Sequence, residues 1–271
     1  MTAKLVLVGC GHMGRAMLSG WIGSGRIAAT EVMVVEPNEE LRNKAAELGC
    51  ATVSGAEALP ADIAPGIVVI AVKPQAIRDV LAGYARFGNG ATTFVSIAAG
   101  TSVATFESIL GEKTPVIRCM PNLPAAIGKG MMVVFANGHV GDKARDFVSG
   151  LLAASGEVAS VDDEKLMDAV TAVSGSGPGY VFHFIEALTA AARTAGLPAE
   201  TAARLAVQTV YGAATMAATS SEEPGVLRQQ VTSHKGTTAA GLDVLMGDEA
   251  LTRLMTETVD AARRRSIELG S

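Results

Sequence analysis

The sequence predicts an α/β fold, an N-terminal doubly wound, mainly parallel sheet followed by an all-α dimerisation domain. Three observations predict it. Up to about residue 160, short apolar runs alternate with amphipathic stretches, the βαβα order of a parallel sheet covered on both faces. The first run, residues 5–8, leads straight into Gly9-Cys10-Gly11-His12-Met13-Gly14 and then a helix start. Beyond about residue 162 no strand-like run appears, and alanine, leucine and methionine dominate. Residues 1–161 therefore read as a Rossmann-like dinucleotide-binding domain, and residues 162–271 as a helical dimerisation and substrate domain.

Composition sets the limits. The chain has 271 residues, 49% hydrophobic and only 4% aromatic, so alanine, valine and leucine must fill the core and helices must pack closely. A net charge of −5, with no basic run before Arg263-Arg264-Arg265, argues against nucleic acid as a partner. No apolar run approaches the ~20 residues of a membrane span, so no membrane partner is expected. Residues 5–8 are too short for a secretory leader, and the expected location is the cytoplasm. Cys10, Cys50 and Cys119 are scattered and read as small buried apolar residues. None of the four histidines has metal-ligand spacing to another histidine or a cysteine, so no metal site is expected.

In order, the strand candidates are residues 5–8, 31–36, 67–72, 92–97, 116–118 and 131–135, with helices over 38–48, 75–84, 103–110 and 142–154 between them. The glycine turn suits a pyrophosphate. Gly9 allows the tight turn, Gly11 lets the backbone approach the phosphates, and Gly14 lets helix and strand pack closely. The helix opening at Arg15-Ala16-Met17-Leu18 adds free N–H groups and the positive end of a dipole, and His12 and Met13 inside the turn contribute backbone. Turn residues then gather at the strand ends, in Glu36-Pro37-Asn38, Ala71-Val72-Lys73-Pro74, Ala99-Gly100 and Met120-Pro121-Asn122. Glu36 has two readings. It is an acceptor for an adenine ribose 2′-hydroxyl, repelling a 2′-phosphate by on the order of 1–4 kcal/mol, or a solvated acid at a strand end. Asn38 suits either cofactor. Lys73 either lies beside the cofactor or escapes to solvent. Asn122 offers a donor and an acceptor to a nicotinamide or substrate, or merely closes a turn.

In the second half, helices are expected over 162–173, 178–195, 198–218, 225–231, 238–246 and 249–268. Small residues interrupt helix at 174–180, where Pro178 at a first helical position forms a stiff wall. The helix after it is apolar over so wide an arc that it must be buried on more than one side. A homodimer is the expected minimum. In Val231-Thr232-Ser233-His234-Lys235-Gly236-Thr237-Thr238, hydroxyls gather where a helix should begin. Free N–H groups there make a carboxylate cradle worth roughly 1–2 kcal/mol, against the competing reading of ordinary N-capping.

Together these segments resemble the pyrroline-5-carboxylate reductase family over nearly the whole chain. The resemblance rests on the glycine turn, Ala71-Val72-Lys73-Pro74, Ile97-Ala98-Ala99-Gly100, Met120-Pro121-Asn122 and Ser174-Gly175-Ser176-Gly177-Pro178. Its specific part is Leu227-Arg228-Gln229-Gln230-Val231-Thr232-Ser233 with Gly236-Thr237-Thr238-Ala239-Ala240-Gly241-Leu242. It implies reduction of the cyclic imine 1-pyrroline-5-carboxylate to proline by NADPH or NADH. It also implies interleaved dimers, sometimes rings of dimers, and a substrate held between the nicotinamide and residues 233–238. Ala98 joins the cofactor positions on this basis. Val231, Ser233, Gly236, Thr237 and Pro178 line the substrate, and Thr238 is the catalytic candidate, its hydroxyl at the ring nitrogen. One departure stands out: the family usually reads Ser-Pro-Gly-Gly-Thr-Thr, and this chain has His234-Lys235 in place of Pro-Gly. Two rivals share the domain order, a hydroxyacid dehydrogenase and a non-catalytic dinucleotide-binding regulator. The first needs a base for the hydroxyl proton, commonly a lysine in the helical half. Here only Lys165 and Lys235 are available, outside the glycine-rich helix start.

Overall fold

The computed structural model describes residues 3–270. The strands are β1 (Leu5–Val8), β2 (Val32–Val35), β3 (Ala51–Val53), β4 (Ile67–Ile70), β5 (Thr93–Ser96), β6 (Val116–Met120), β7 (Gly130–Ala136) and β8 (Gly156–Ser160). Between them lie α1 (His12–Gly23), α2 (Glu39–Glu47), α3 (Ile77–Ala82), α4 (Val103–Leu110) and α5 (Asp142–Leu152). There follow α6 (Met167–Val170), α7 (Gly177–Thr194), α8 (Ala199–Thr219), α9 (Pro224–Gln230), α10 (Thr237–Met246) and α11 (Ala250–Gly270).

The strands form one sheet in the order β3-β2-β1-β4-β5-β6-β7-β8, parallel except where β7 runs against β6. That reversal has a simple cause. Only residues 121–129 join the two strands, and a parallel return needs a crossover of a dozen residues or more. Successive residues of β1 feed opposite layers. Leu5 and Leu7 pack with Met17, Leu18 and Trp21 of α1 and Leu151 of α5, whereas Val6 and Val8 pack with Leu81, Tyr84, Phe94 and Phe106. A strand buried on both faces needs the unbroken apolar run seen in the sequence.

Sequence reading misses β3 and β8. Both are edge strands with largely accessible side chains, so neither carries a strong apolar run. The helix expected over 75–84 is split, with a 3₁₀ turn at Pro74–Ala76 before α3. The helix expected over 162–173 is also broken. A 3₁₀ turn at Glu164–Leu166 precedes α6, and a π-helical turn follows at Thr171–Gly175. Pro178 falls one position later than expected, second in α7, and has no N–H for the carbonyl of Ser174. That carbonyl accepts instead from Asn122 Nδ2 at 3.1 Å, while the π turn closes through Ser176 N–H to Thr171 O at 2.9 Å.

The chain divides into two compact units, one ending at Ser176 and including the segment from Ala262 onward, the other Gly177–Ala261. The division lies beyond the expected boundary at 161/162 because residues 164–176 are tied to the sheet. Glu164 Oε1 accepts from Arg118 Nη1 and from Val103 N–H, both at 2.7 Å. Within the same unit, Ser266 Oγ donates to Asp168 Oδ1 at 2.7 Å. In the second unit α7 packs along α8, with Ala202 and Ala206 of α8 buried. Large apolar side chains on these helices, including Phe182, Phe184, Leu205, Tyr211 and Met216, stay exposed in the single chain. Apolar exposure on that scale marks a protein interface.

Candidate active site

The order of the strands reverses between β1 and β4, and the crevice outside their C-terminal ends is where an open α/β sheet binds ligands. The glycine turn sits there. Gly9 has φ +90°, a conformation that favours glycine, and donates its N–H to Val35 O at 2.8 Å. A Cβ on Gly9 would lie 2.8 Å from Ala71 O, and one on Gly14 2.5 Å from Gly9 O, so each glycine is required by backbone packing. Gly11 differs: a Cβ there would meet nothing within 4 Å. It would project into open space, the space a dinucleotide pyrophosphate needs. Gly11 also caps α1 without a side-chain hydrogen bond, and no acid occupies the first helical turn. The N–H groups of His12, Met13 and Gly14 are thus left for an anion.

Glu36 is not a solvated acid at a strand end. It is buried, its Oε2 accepts from Cys10 N–H at 2.7 Å, and its Oε1 accepts from Asn38 N–H at 2.9 Å. The carboxylate clamps the glycine turn to the end of β2 and keeps one acceptor position on each oxygen. Glu36→Gln would put an amide N–H against one of those backbone donors. A loss of about 1–3 kcal/mol in unfolding free energy is expected, readable by urea denaturation. Burial, the Glu36 charge and Cys50 push the Cys10 thiol up to about 11, and all three cysteines are free and buried.

Around the turn lies a cleft of about 660 Å³. Of the expected cofactor positions, Gly9, Gly11, Glu36, Pro37, Ala71, Val72 and Lys73 line it together. Pro74, Ala99 and Gly100 line a separate cavity of about 340 Å³ with Leu269 and Gly270 of α11. Gly100, at φ +74°, is where the backbone of Gly270 comes close. Ala98 is buried at the end of β5. Two of the side chains singled out in the sequence already have partners within the protein. Asn38 Oδ1 caps α2 by accepting from Leu41 N–H at 3.1 Å. Asn122 accepts from Met131 N–H through Oδ1 at 2.9 Å and donates to Ser174 O, so its amide holds protein loops together. Ser54, Gly55, Ala56, Glu57, Asp79 and Tyr84 line the cleft without having been foreseen. The first four follow β3, and recognising that strand would have placed them at the same sheet edge.

In the second unit, residues 233–236 form a tight turn closed by Gly236 N–H to Ser233 O at 3.0 Å. Val231 is exposed at the end of α9. Thr237 opens α10, whose cap, Gly236, makes no side-chain bond, so ordinary N-capping by a hydroxyl is absent. A Cβ on Gly236 would collide with Ser233 Oγ, which places that hydroxyl at the mouth of the helix.

Comparison with known proteins decides the family. The chain is 40% identical to a pyrroline-5-carboxylate reductase of Pseudomonas aeruginosa over 99% of its own length and 97% of the relative's. The chain belongs to the pyrroline-5-carboxylate reductase family. The corresponding enzyme of Synechocystis is 38% identical, with 100% and 99% covered. Residues 164–269 match the family model described as pyrroline-5-carboxylate reductase dimerisation, and residues 4–100 the model described as NADP oxidoreductase coenzyme F420-dependent. Among solved structures, the pyrroline-5-carboxylate reductase of Coxiella burnetii superposes with a TM-score of 0.92 at 31% identity, all of both chains being covered. The Plasmodium falciparum enzyme, solved with NADP bound, gives 0.84 at 29% identity, covering 99% of this chain and 98% of its own. The chain is an NAD(P)H-dependent reductase of 1-pyrroline-5-carboxylate in proline biosynthesis.

A Pro-Gly pair, which the family resemblance leads one to expect at 234–235, would suit a turn whose third residue needs φ > 0. Here the turn persists without it, and Lys235 holds φ +56°. A lysine in the left-handed region costs about 1 kcal/mol. Lys235→Gly is expected to raise Tm by about 1–3 °C in a calorimetric scan.

Proposed function

We propose that this reductase binds its two reactants at two helix starts of the same construction. The carrying observation is that α1 and α10 both begin at a glycine cap, Gly11 and Gly236, with no side-chain cap and no acid in the first turn. The N–H groups at the start of α1 hold the pyrophosphate of NADPH or NADH, and Glu36 and Pro37 flank the adenosine ribose. Ala71, Val72 and Lys73 form the remaining wall of the cleft, Pro74 and Ala98 to Gly100 carry the cofactor on along the sheet edge beyond it, and Asn122 clamps the loop after β6. When bound, the reduced nicotinamide supplies the hydride.

The substrate carboxylate rests on the N–H groups of Thr237 and Thr238, helped by Ser233, with Val231, Gly236 and Pro178 around the ring. The Thr238 hydroxyl meets the ring nitrogen. A protonated imine is already electrophilic, so the chain need not provide a strong acid. Its contribution is to hold the reactants in register in a water-poor site. We further assign the substrate position to the neighbourhood of a partner's helices in a homodimer, with rings of dimers as the larger assembly. The exposed apolar side chains of α7 and α8 support that reading. Net charge supports the absence of a nucleic-acid partner. Three free thiols are compatible with the cytoplasm. Among the described residues no helix is long and apolar enough to cross a membrane, and no group of three His, Cys, Asp or Glu could hold a metal ion.

The test uses 1-pyrroline, which lacks the carboxylate. Its kcat/KM should fall at least about 100-fold below that of 1-pyrroline-5-carboxylate, as expected for losing two charge-assisted hydrogen bonds. Equal efficiencies would remove the cradle.

A further inference from the structure

We infer that the adenosine end of the cleft selects a free ribose 2′-hydroxyl, so that NADH is the preferred reductant, with Glu57 as the specificity-determining residue beside Glu36. The inference rests on the cleft over the glycine turn being the cofactor site.

The cleft takes its walls from the ends of β1, β2, β3 and β4 and from α3. β2 and β3 lie on the side of β1 away from β5 and β6, so this is the half of the sheet edge where the adenosine of a dinucleotide sits. Three carboxylates line it, Glu36, Glu57 and Asp79, and among the described lining residues Lys73 is the one cation. A 2′-phosphate brings roughly 1.5–2 further negative charges. A 2′-hydroxyl brings a donor, which is what a carboxylate can take.

Two details aim these acids at the ligand. Both oxygens of Glu36 are fixed by backbone N–H groups, so their remaining acceptor positions are pre-oriented. The Glu57 carboxylate lies over the backbone of Gly55, in the space a Cβ there would fill. Gly55 has φ −161°, extended backbone open to any residue, so its smallness serves to admit that carboxylate. The field of Glu57 also reaches Tyr84 in the wall, whose phenol is pushed up by burial first and by Glu57 second. The guanidinium following β2 does not compensate. Arg42 Nη1 donates to the carbonyls of Glu36 and Pro37, and Arg42 is not among the lining residues.

The experiment is equilibrium titration of the assembled enzyme with NADH and NADPH, read by nicotinamide fluorescence at low and high salt. Kd for NADPH should exceed Kd for NADH at least tenfold at about 50 mM salt. The ratio should shrink as salt rises, because the discrimination is by charge. Glu57→Gln should lower the ratio threefold or more. A ratio of one or less, or one that neither salt nor Glu57→Gln moves, overturns the inference. Equal binding of the two leaves the cofactor-site reading standing and defeats only the preference, whereas binding of neither defeats both.

Discussion

Thr238→Ala is expected to lower kcat/KM for 1-pyrroline-5-carboxylate about 10–100-fold while leaving the Kd of the reduced cofactor within about twofold. The magnitude is that of a hydrogen bond to a charged group, about 1.5–3 kcal/mol, lost from a site that cannot replace it with water. The cofactor should be unaffected because its binding rests on the glycine turn and the walls of the cleft over it, which Thr238 does not line. Thr238→Ser keeps the hydroxyl and should recover most of the activity. If the alanine variant turns over normally, Thr238 has no part in the chemistry. If the alanine and serine variants are equally impaired, its contribution is steric and not through the hydroxyl.

Gly11→Asp should change stability and binding in opposite directions. Gly11 sits at the cap of α1 with φ −66° and ψ −167°, a conformation aspartate adopts freely, and a Cβ there touches nothing. Aspartate is a better cap than glycine, so Tm should hold or rise by one or two degrees, for a gain of a few tenths of a kcal/mol. The same carboxylate would cover the N–H groups that a pyrophosphate needs and add charge against it. Dinucleotide affinity should drop by about 100-fold or more in a fluorescence titration. Gly14→Ala is the contrasting variant. Its Cβ falls 2.5 Å from Gly9 O, so about 1–3 kcal/mol of stability should be lost with the turn itself. Tight dinucleotide binding by Gly11→Asp would show that the pyrophosphate lies elsewhere.

These two expectations draw on the part of the molecule most readable from sequence. Leu5–Val8 and the glycines after it are marked locally: an unbroken apolar run can only be buried, and the spacing of Gly9, Gly11 and Gly14 signals the turn, although the backbone that crowds Gly9 is that of Ala71. The start of α10 was legible to within one residue for the same reason. What was not legible depends on partners far along the chain. Whether Glu36 was solvated or occupied turned on the N–H of Cys10, 26 residues away. Asn122 looked free for a ligand because its partners, Met131 and Ser174, are brought to it by folding. The wall containing Glu57 was hidden because β3, an edge strand of three residues, owes its pairing to β2 more than to its own composition.

The bond between Asn122 and the Ser174 carbonyl ties the identity of one residue to that of another 56 positions later. Proline at 178 withdraws the helical donor, and an amide from a different element substitutes for it. Any other residue at 178 would bring an N–H able to take the second acceptor position of that carbonyl. The asparagine should therefore matter most while proline stands at 178, and position 122 should drift more freely in descendants of this gene that have lost the proline.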